Sequence, residues 1–330
     1  MDQRLRRDLD AIAADRSSGA AELALRTCGA LQQWAGRHPR INRDDLLVVA
    51  RALLVAQPAM APILRLANEL ALAAEERVPS RYLARALKHF SSALRTGPPR
   101  IARRFRSALR RGDKKIIATY SYSSTVLQAI LAARARIWQV ICSEGRPSWE
   151  GRKTVEQILR RGKGIGACLT TDAALHMFTA HSHSLVVGAD SLEEAGFTNK
   201  AGTGALVAYA LQTGCPVWVL ADTSKLLPRA IDAIRGDRNG PDAEIWPEAP
   251  ARLSILNPYF ERTRYQPGIR ILTERGWRTP AQIRREIQAI KVSPLLATLA
   301  ESAPRNQVSD RPTIRESRHS RGGFAPNAHG

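Results

Sequence analysis

Asp190 closes an apolar run, SLVVGAD, and Asn199 and Lys200 follow it in a polar loop that leads into GTG and a second apolar run. A carboxylate at the end of a buried run is a candidate acid or base, because its surroundings can raise its pKa toward neutrality. It reads equally well as an N-cap or one half of a structural ion pair. Lys200 and Lys225 are candidate anion binders, the second within ADTSK. The stretch TYSYSST places Thr119, Ser121, Ser123 and Ser124 ahead of a helical pattern. Hydroxyls and free amides at a helix start suit a phosphate group, and they also suit plain N-capping. Arg146 stands in SEGRP and Asp172 in TTD. The set fits binding of a small phosphorylated molecule, with proton transfer if a partner acid or base is present.

The elements that must carry these residues alternate. From Lys114 the chain reads KKIIATY, TVLQAILAARA, RIWQVICSE, TVEQILRRG, IGACLTT, DAALHMFTA, SLVVGAD, GTGALVAYALQTG and PVWVLAD. Those are five strands, each near-continuously apolar, separated by helices. That pattern predicts a parallel sheet buried on both faces. In such sheets ligands bind beyond the carboxyl ends of the strands, and every candidate from Thr119 to Lys225 falls at a strand exit or in the loop beyond it. GKGIG precedes a strand instead of following one, so no dinucleotide fingerprint is read there. His181 and His183 have alternate spacing without a visible third ligand and read as a loop pair. No cofactor and no metal are expected.

Ahead of Lys114 the periodicity is helical. Ser17 or Ser18 reads as the N-cap of AAELALRTCGALQQWA, two helices flank Pro58 and Pro62, and GPP at Gly97–Pro99 reads as a breaker before the basic helix RIARRFRSALRRGDKK. The expected architecture is α/β: an N-terminal all-helical domain over residues 1–112, a Rossmann-like, mainly parallel sheet domain over 113–300, and a disordered tail over 301–330, where Arg, Ser, Pro, Gly and His dominate.

Composition bounds the partners. Lys and Arg number 50 against 30 Asp and Glu, a formal net charge of +20 that favours anionic ligands. The basic helix reads as a solvated face, and no zinc finger or aromatic-interleaved basic stripe is present, so nucleic acid is not expected. No run approaches the length of a membrane span and no signal peptide is read at the N-terminus, so a membrane is not expected. Four cysteines without metal or disulfide spacing fit a reducing, cytoplasmic compartment.

The segments TYSYSSTV, SEGRPSWEGRK, TTDAALHMF, VVGADSLEEAGFTNKAGTGALVAYA, VLADTSKLLP and NPYFE…ILTERGWRTPAQI, in this order, resemble the family of initiation factor 2B alpha, beta and delta subunits, methylthioribose-1-phosphate isomerase and ribose-1,5-bisphosphate isomerase. DRSSGAAELAL resembles the family's N-terminal substrate loop. The resemblance implies a homodimer or higher assembly through the C-terminal domains and a sugar-phosphate pocket between the two domains. It gives Asp190 the place of the isomerases' catalytic carboxylate. It puts Asn199 and Lys200 in the place of the substrate-binding pair, Lys225 in that of a phosphate-side lysine, and Arg146 in that of the strand-two arginine. Ser18, Gly19 and Ala20 fall on the loop that closes on the phosphate. At the isomerases' catalytic cysteine stands Ser121, whose hydroxyl ionises far less readily than a thiol. Cys142 could substitute, or be an ordinary core residue.

Three functions follow. The first is an initiation-factor-2B-related protein that binds a sugar phosphate or nucleoside monophosphate with little or no isomerase activity. The second is an aldose–ketose isomerase of a phosphorylated pentose, using Asp190 with Ser121 or a water. The third is a regulatory subunit of an initiation-factor-2B type.

Overall fold

The computed structural model describes residues 1–15, 18–109, 112–234, 239–250 and 252–301. Helices α1 (Gln3–Ala14), α2 (Ala20–Arg37), α3 (Arg43–Ala56), α4 (Ala61–Ala73) and α5 (Pro79–Ala108) come first. Their facing stripes, with Leu23, Trp34, Leu53, Leu64 and Leu87 among the fully buried residues, form one core. The chain returns to that core at its far end through Leu227, Ile231 and Leu296.

Helix α5 runs unbroken through Pro98 and Pro99, contrary to the expected break. Prolines inside a helix remove hydrogen bonds and cost about 3 kcal/mol or more, so something must hold this one together. Its stripe Leu83, Leu87, Phe90, Leu94, Ile101 and Phe105 keeps helical spacing across the prolines. The first four residues pack in the helical core and the last two in a core against the sheet. Gly97 lies at the join; a Cβ there would lie 3.0 Å from the Cβ of Asp222, so its bare backbone admits that residue. Arg100, Arg103, Arg104 and Arg106 face solvent on the opposite side.

Strands and helices then alternate: β1 (Lys115–Thr119), α6 (Ser124–Ala132), β2 (Ile137–Ser143), α7 (Glu150–Arg161), β3 (Gly166–Thr170), α8 (Leu175–Thr179) and β4 (Ser184–Gly188). After them come β5 (Ser191–Leu192), β6 (Gly196–Lys200), α9 (Thr203–Gln212), β7 (Val217–Leu220) and α10 (Arg229–Asp232). The last elements are β8 (Phe260–Arg264), β9 (Ile269–Thr273), β10 (Gly276–Arg278), α11 (Pro280–Gln288) and α12 (Leu295–Glu301). The main sheet has seven strands in the order β10-β9-β7-β4-β1-β2-β3. All its pairings are parallel except β10 with β9. The five expected strands form one contiguous block from β7 to the edge strand β3, and β9 and the antiparallel β10 extend it at the other end. From β1 the chain builds outward through β2 and β3, then crosses back to β4, β7 and β9. The strand order therefore reverses between β1 and β4, the switch point where open sheets of this kind place their ligands.

A second, antiparallel sheet, β5-β6-β8, stands beside the exits of the main one. Asn199 and Lys200 sit on β6, paired with Glu261 and Phe260, and not in the expected loop. The expected disordered tail, from residue 302 onward, lies outside the described residues.

Candidate functional site at the sheet switch point

Ser121 follows β1 and Asp190 follows β4, so the two candidate acid–base residues flank the switch point. Ser121 has φ 63°, the left-handed region that a residue with a Cβ adopts at a cost. Its carbonyl accepts from Thr154 Oγ1 at 2.9 Å, which ties the β1 exit to α7. Among the described residues, no side-chain base accepts a hydrogen bond from its hydroxyl. Asp190 is half-buried, and its backbone N–H donates to Thr198 O at 2.8 Å. Ser123 is the N-cap of α6, accepting from Val126 N at 3.4 Å, and Ser124 opens that helix, exposed. A Cβ on Gly188 would lie 2.6 Å from Ser123 Oγ, so this glycine lets the β1 exit close over β4. The hydroxyl of Thr119 is buried and spent within the sheet, donating to Val186 O at 2.8 Å.

On the β7 side, Lys225 is 6% exposed and its ammonium donates to the carbonyl of Ala189, next to Asp190. Among the described residues no carboxylate lies within ion-pairing distance of it. The preceding Asp222 is 1% exposed and accepts from the N–H (3.0 Å) and hydroxyl of Ser224; its Oδ2 has no hydrogen-bond partner. Arg65 reaches in from α4 and donates to Leu226 O at 2.9 Å, with its Nε unpartnered. Burial lowers the Arg65 pKa, and the Glu69 carboxylate works against that shift.

On the β2 side, Lys200 Nζ meets Glu150 Oε1 at 3.0 Å and lies 5.1 Å from the ring centroid of Tyr259. Glu150 starts α7, where a Cβ on Gly151 would overlap the carbonyl of Ser143, so α7 starts hard against β2. Asp172 accepts from the N–H groups of Gly145 (2.8 Å) and Arg146 (2.7 Å). The Arg146 guanidinium donates to Glu244 O at 3.2 Å and sits 4.6 Å above the Trp149 ring. Asn199 Nδ2 donates to Thr203 Oγ1 at 3.0 Å. Tyr120 donates to Ala201 O at 2.6 Å, and burial, reinforced by Asp172, Glu261 and Glu150, holds its phenol protonated. Cys142 is buried and its thiol is pushed up to about 12 by burial and then by Asp172, so it serves as a protonated core residue.

The N-terminal loop departs from its expected cap. Gly19, not Ser17 or Ser18, is the N-cap of α2, and Ala20 is its buried first residue. Ser18 turns back, its N–H and hydroxyl both 2.9 Å from the Asp15 carboxylate, which Arg26 also holds at 2.6 Å. Asp15, unremarked in the sequence, is the more attractive acceptor because it is charged. Helix α2 does come near the β1 exit: burial and then the Glu22 carboxylate oppose ionisation of Tyr122, in the loop after β1.

Glu150, Glu244, Glu261 and Arg65 were not among the sequence candidates. Glu150 could have been found, since it lies inside SEGRPSWEGRK. Arg65 stands in a helix with no local sign of its use. Among the described residues, no three His, Cys, Asp or Glu side chains gather to hold a metal ion. His183 Nδ1 accepts from Ile116 N at 3.0 Å.

The model of the initiation factor 2 subunit family matches residues 16–280. The chain belongs to this family. It is 32% identical over 176 residues to the ribose 1,5-bisphosphate isomerase of Archaeoglobus fulgidus, covering 50% of this chain and 56% of that protein. It is 33% identical over 184 residues to the methylthioribose-1-phosphate isomerase of Trichoplax adhaerens, covering 53% and 50%. The chain thus spans about half the length of these relatives. The crystal structure of a translation initiation factor eIF-2B from Pyrococcus horikoshii OT3 shares the fold, with TM-score 0.69 and 24% identity over 84% of this chain and 97% of that one.

Proposed function

We propose that the protein binds a phosphorylated pentose or a nucleoside monophosphate in the switch-point cleft and catalyses little or no aldose–ketose isomerisation. Lys225 carries the reading. A buried ammonium has three protons to donate, and this one has a neutral carbonyl as its partner beside Asp190. A phosphate oxygen is the acceptor that such a cation lacks. Arg65, reaching the same segment from the helical layer, adds a second cation. The relatives named for sugar-phosphate isomerases support the ligand class. The serine at position 121, whose hydroxyl meets no side-chain base among the described residues, argues against efficient proton transfer. Ser18–Ala20 form the roof on this reading, and domains divided near residue 112 would place the cleft between them. A thermal-shift screen tests it: a ligand at a hundred times its Kd stabilises by about 2.7 kcal/mol. Raised Tm with pentose phosphates or nucleoside monophosphates is expected; no shift with any of them overturns the reading.

One observation favours isomerisation as a second reading. Ser121 is held in a strained conformation across from Asp190, and strain of this kind gathers at working sites. Turnover of a pentose 1-phosphate by the wild type decides between the two.

We also propose a cytoplasmic homodimer or higher assembly. Trp138 (60% exposed), Leu169 and Met177 are large apolar residues left open around β2, the edge strand β3 and α8, and such surfaces favour association. The four cysteines are unpaired, as in a reducing compartment. Among the described residues no helix is long and apolar enough to cross a membrane. Sedimentation analysis would report the assembly.

A further inference from the structure

We infer that the Glu150–Lys200 ion pair makes the cleft select singly phosphorylated ligands, with the phosphate at the Lys225 end and a neutral hydroxyl at the Glu150 end. The inference rests on the reading of the cleft as a sugar-phosphate site. The family contains relatives named for both a bisphosphate and a monophosphate substrate, so the choice is a real one.

The charge at the two ends differs. At the β2 end, Lys200 is neutralised by Glu150 at 3.0 Å. Glu150, Asp172 and Glu261 all lie close enough to Tyr120 to oppose its ionisation, and Glu244 is held there by Tyr259 at 2.6 Å. Arg146 and Arg152 are the other cations of this end, both lying over Trp149, with Arg146 also donating to Glu244 O. A phosphate brought here would meet four carboxylates against three cations, Lys200 among them already paired, and like charges at contact distance repel strongly at low dielectric. A hydroxyl would not. Glu150 Oε2 is out of solvent and has no hydrogen-bond partner, so it is an acceptor waiting for a donor. A sugar hydroxyl supplies that donor; a phosphate dianion supplies none. The β7 end also carries carboxylates, the buried Asp222 and Glu69 near Arg65, but among the described residues Lys225 is in no ion pair and its ammonium donates to a neutral carbonyl, as Arg65 does.

The spacing suits one small ligand. Lys225 follows β7 and Glu150 follows β2, with β4 and β1 between them. Three strand steps of about 4.8 Å put these exits roughly 14 Å apart at the backbone. After the two side chains have reached inward, one pentose phosphate fits between them, across Asp190 and Ser121.

The test is calorimetric titration of the wild type and Glu150→Gln with ribose 5-phosphate and ribose 1,5-bisphosphate. Glu150→Gln keeps the shape, removes the charge and frees Lys200. For the wild type, the second phosphate is expected to add less than about threefold in affinity. In Glu150→Gln the ratio of bisphosphate to ribose 5-phosphate affinity should rise about tenfold or more, equivalent to about 1.4 kcal/mol. A wild type that prefers the bisphosphate by about tenfold, or a variant with an unchanged ratio, overturns the inference while leaving the sugar-phosphate reading intact. If neither compound binds a wild type shown to be folded, both fall together. Should the variant not fold, the wild-type ratio decides alone.

Discussion

On the β2 side of the switch point, Lys200 meets Glu150, Asp172 takes two backbone N–H groups, and Cys142 is buried and protonated. On the β4 and β7 side, Lys225 is as deeply buried yet meets a carbonyl, Arg65 keeps an unpartnered Nε, and Asp222 keeps an unpartnered Oδ2. The residue types are the same; the difference is that Lys200 is matched by a carboxylate and Lys225 by a neutral carbonyl. Matched charge fixes the strand exits in place. Unmatched charge costs free energy when buried; on the proposed reading a phosphorylated ligand completes it.

The largest expected effect concerns the closed side. Raising a thiol from 9.0 to about 12 cuts its thiolate fraction near neutral pH roughly a thousandfold, and the thiolate is the reactive form. Cys142 should therefore resist iodoacetamide in the native protein and react on unfolding, as mass spectrometry of the labelled cysteines would reveal. Rapid native labelling at Cys142 would make that side chemically open and break the comparison.

The open side predicts a loss. Lys225→Met should weaken binding of ribose 5-phosphate by about ten- to a hundredfold, the equivalent of ~1.5–3 kcal/mol for a charge-assisted bond, by calorimetry. An unchanged Kd would mean that the phosphate sits elsewhere. On the closed side Gly151→Ala forces a methyl group onto the carbonyl of Ser143. Overpacking of this kind costs about 1–3 kcal/mol, to be read from denaturant unfolding. Asp190→Asn should change ribose 5-phosphate affinity least, by no more than about threefold, or ~0.7 kcal/mol, because a nearby carboxylate only tunes the pocket.

The sequence carried the sheet because buried parallel strands must be continuously apolar and their exits must be polar. Asp190, Arg146 and Lys225 could therefore be put on one edge without coordinates. It did not carry α5, where Gly97-Pro98-Pro99 reads locally as a stop. The helix continues because two cores grip it on either side of the prolines, and that is tertiary information. Nor did it carry the second sheet. There Asn199 and Lys200 look like loop residues until Glu261 and Phe260, some sixty positions later, pair with them. The Glu150–Lys200 pair and the reach of Arg65 to Leu226 join residues 50 and 161 positions apart, beyond any local pattern. The resemblance reads Ser121 as standing where the isomerases carry a thiol, whereas its left-handed backbone and its tie to Thr154 were not legible.

The central claim is a cleft that holds a pentose phosphate without isomerising it. Proton NMR of the wild type mixed with methylthioribose 1-phosphate or ribose 1,5-bisphosphate, following the anomeric signal, tests it most directly. The expected result is line broadening from binding with the anomeric signal undiminished over many hours. Loss of that signal as the ketose forms, at a rate that Asp190→Asn abolishes, would contradict the account and make the protein an isomerase working with serine at position 121.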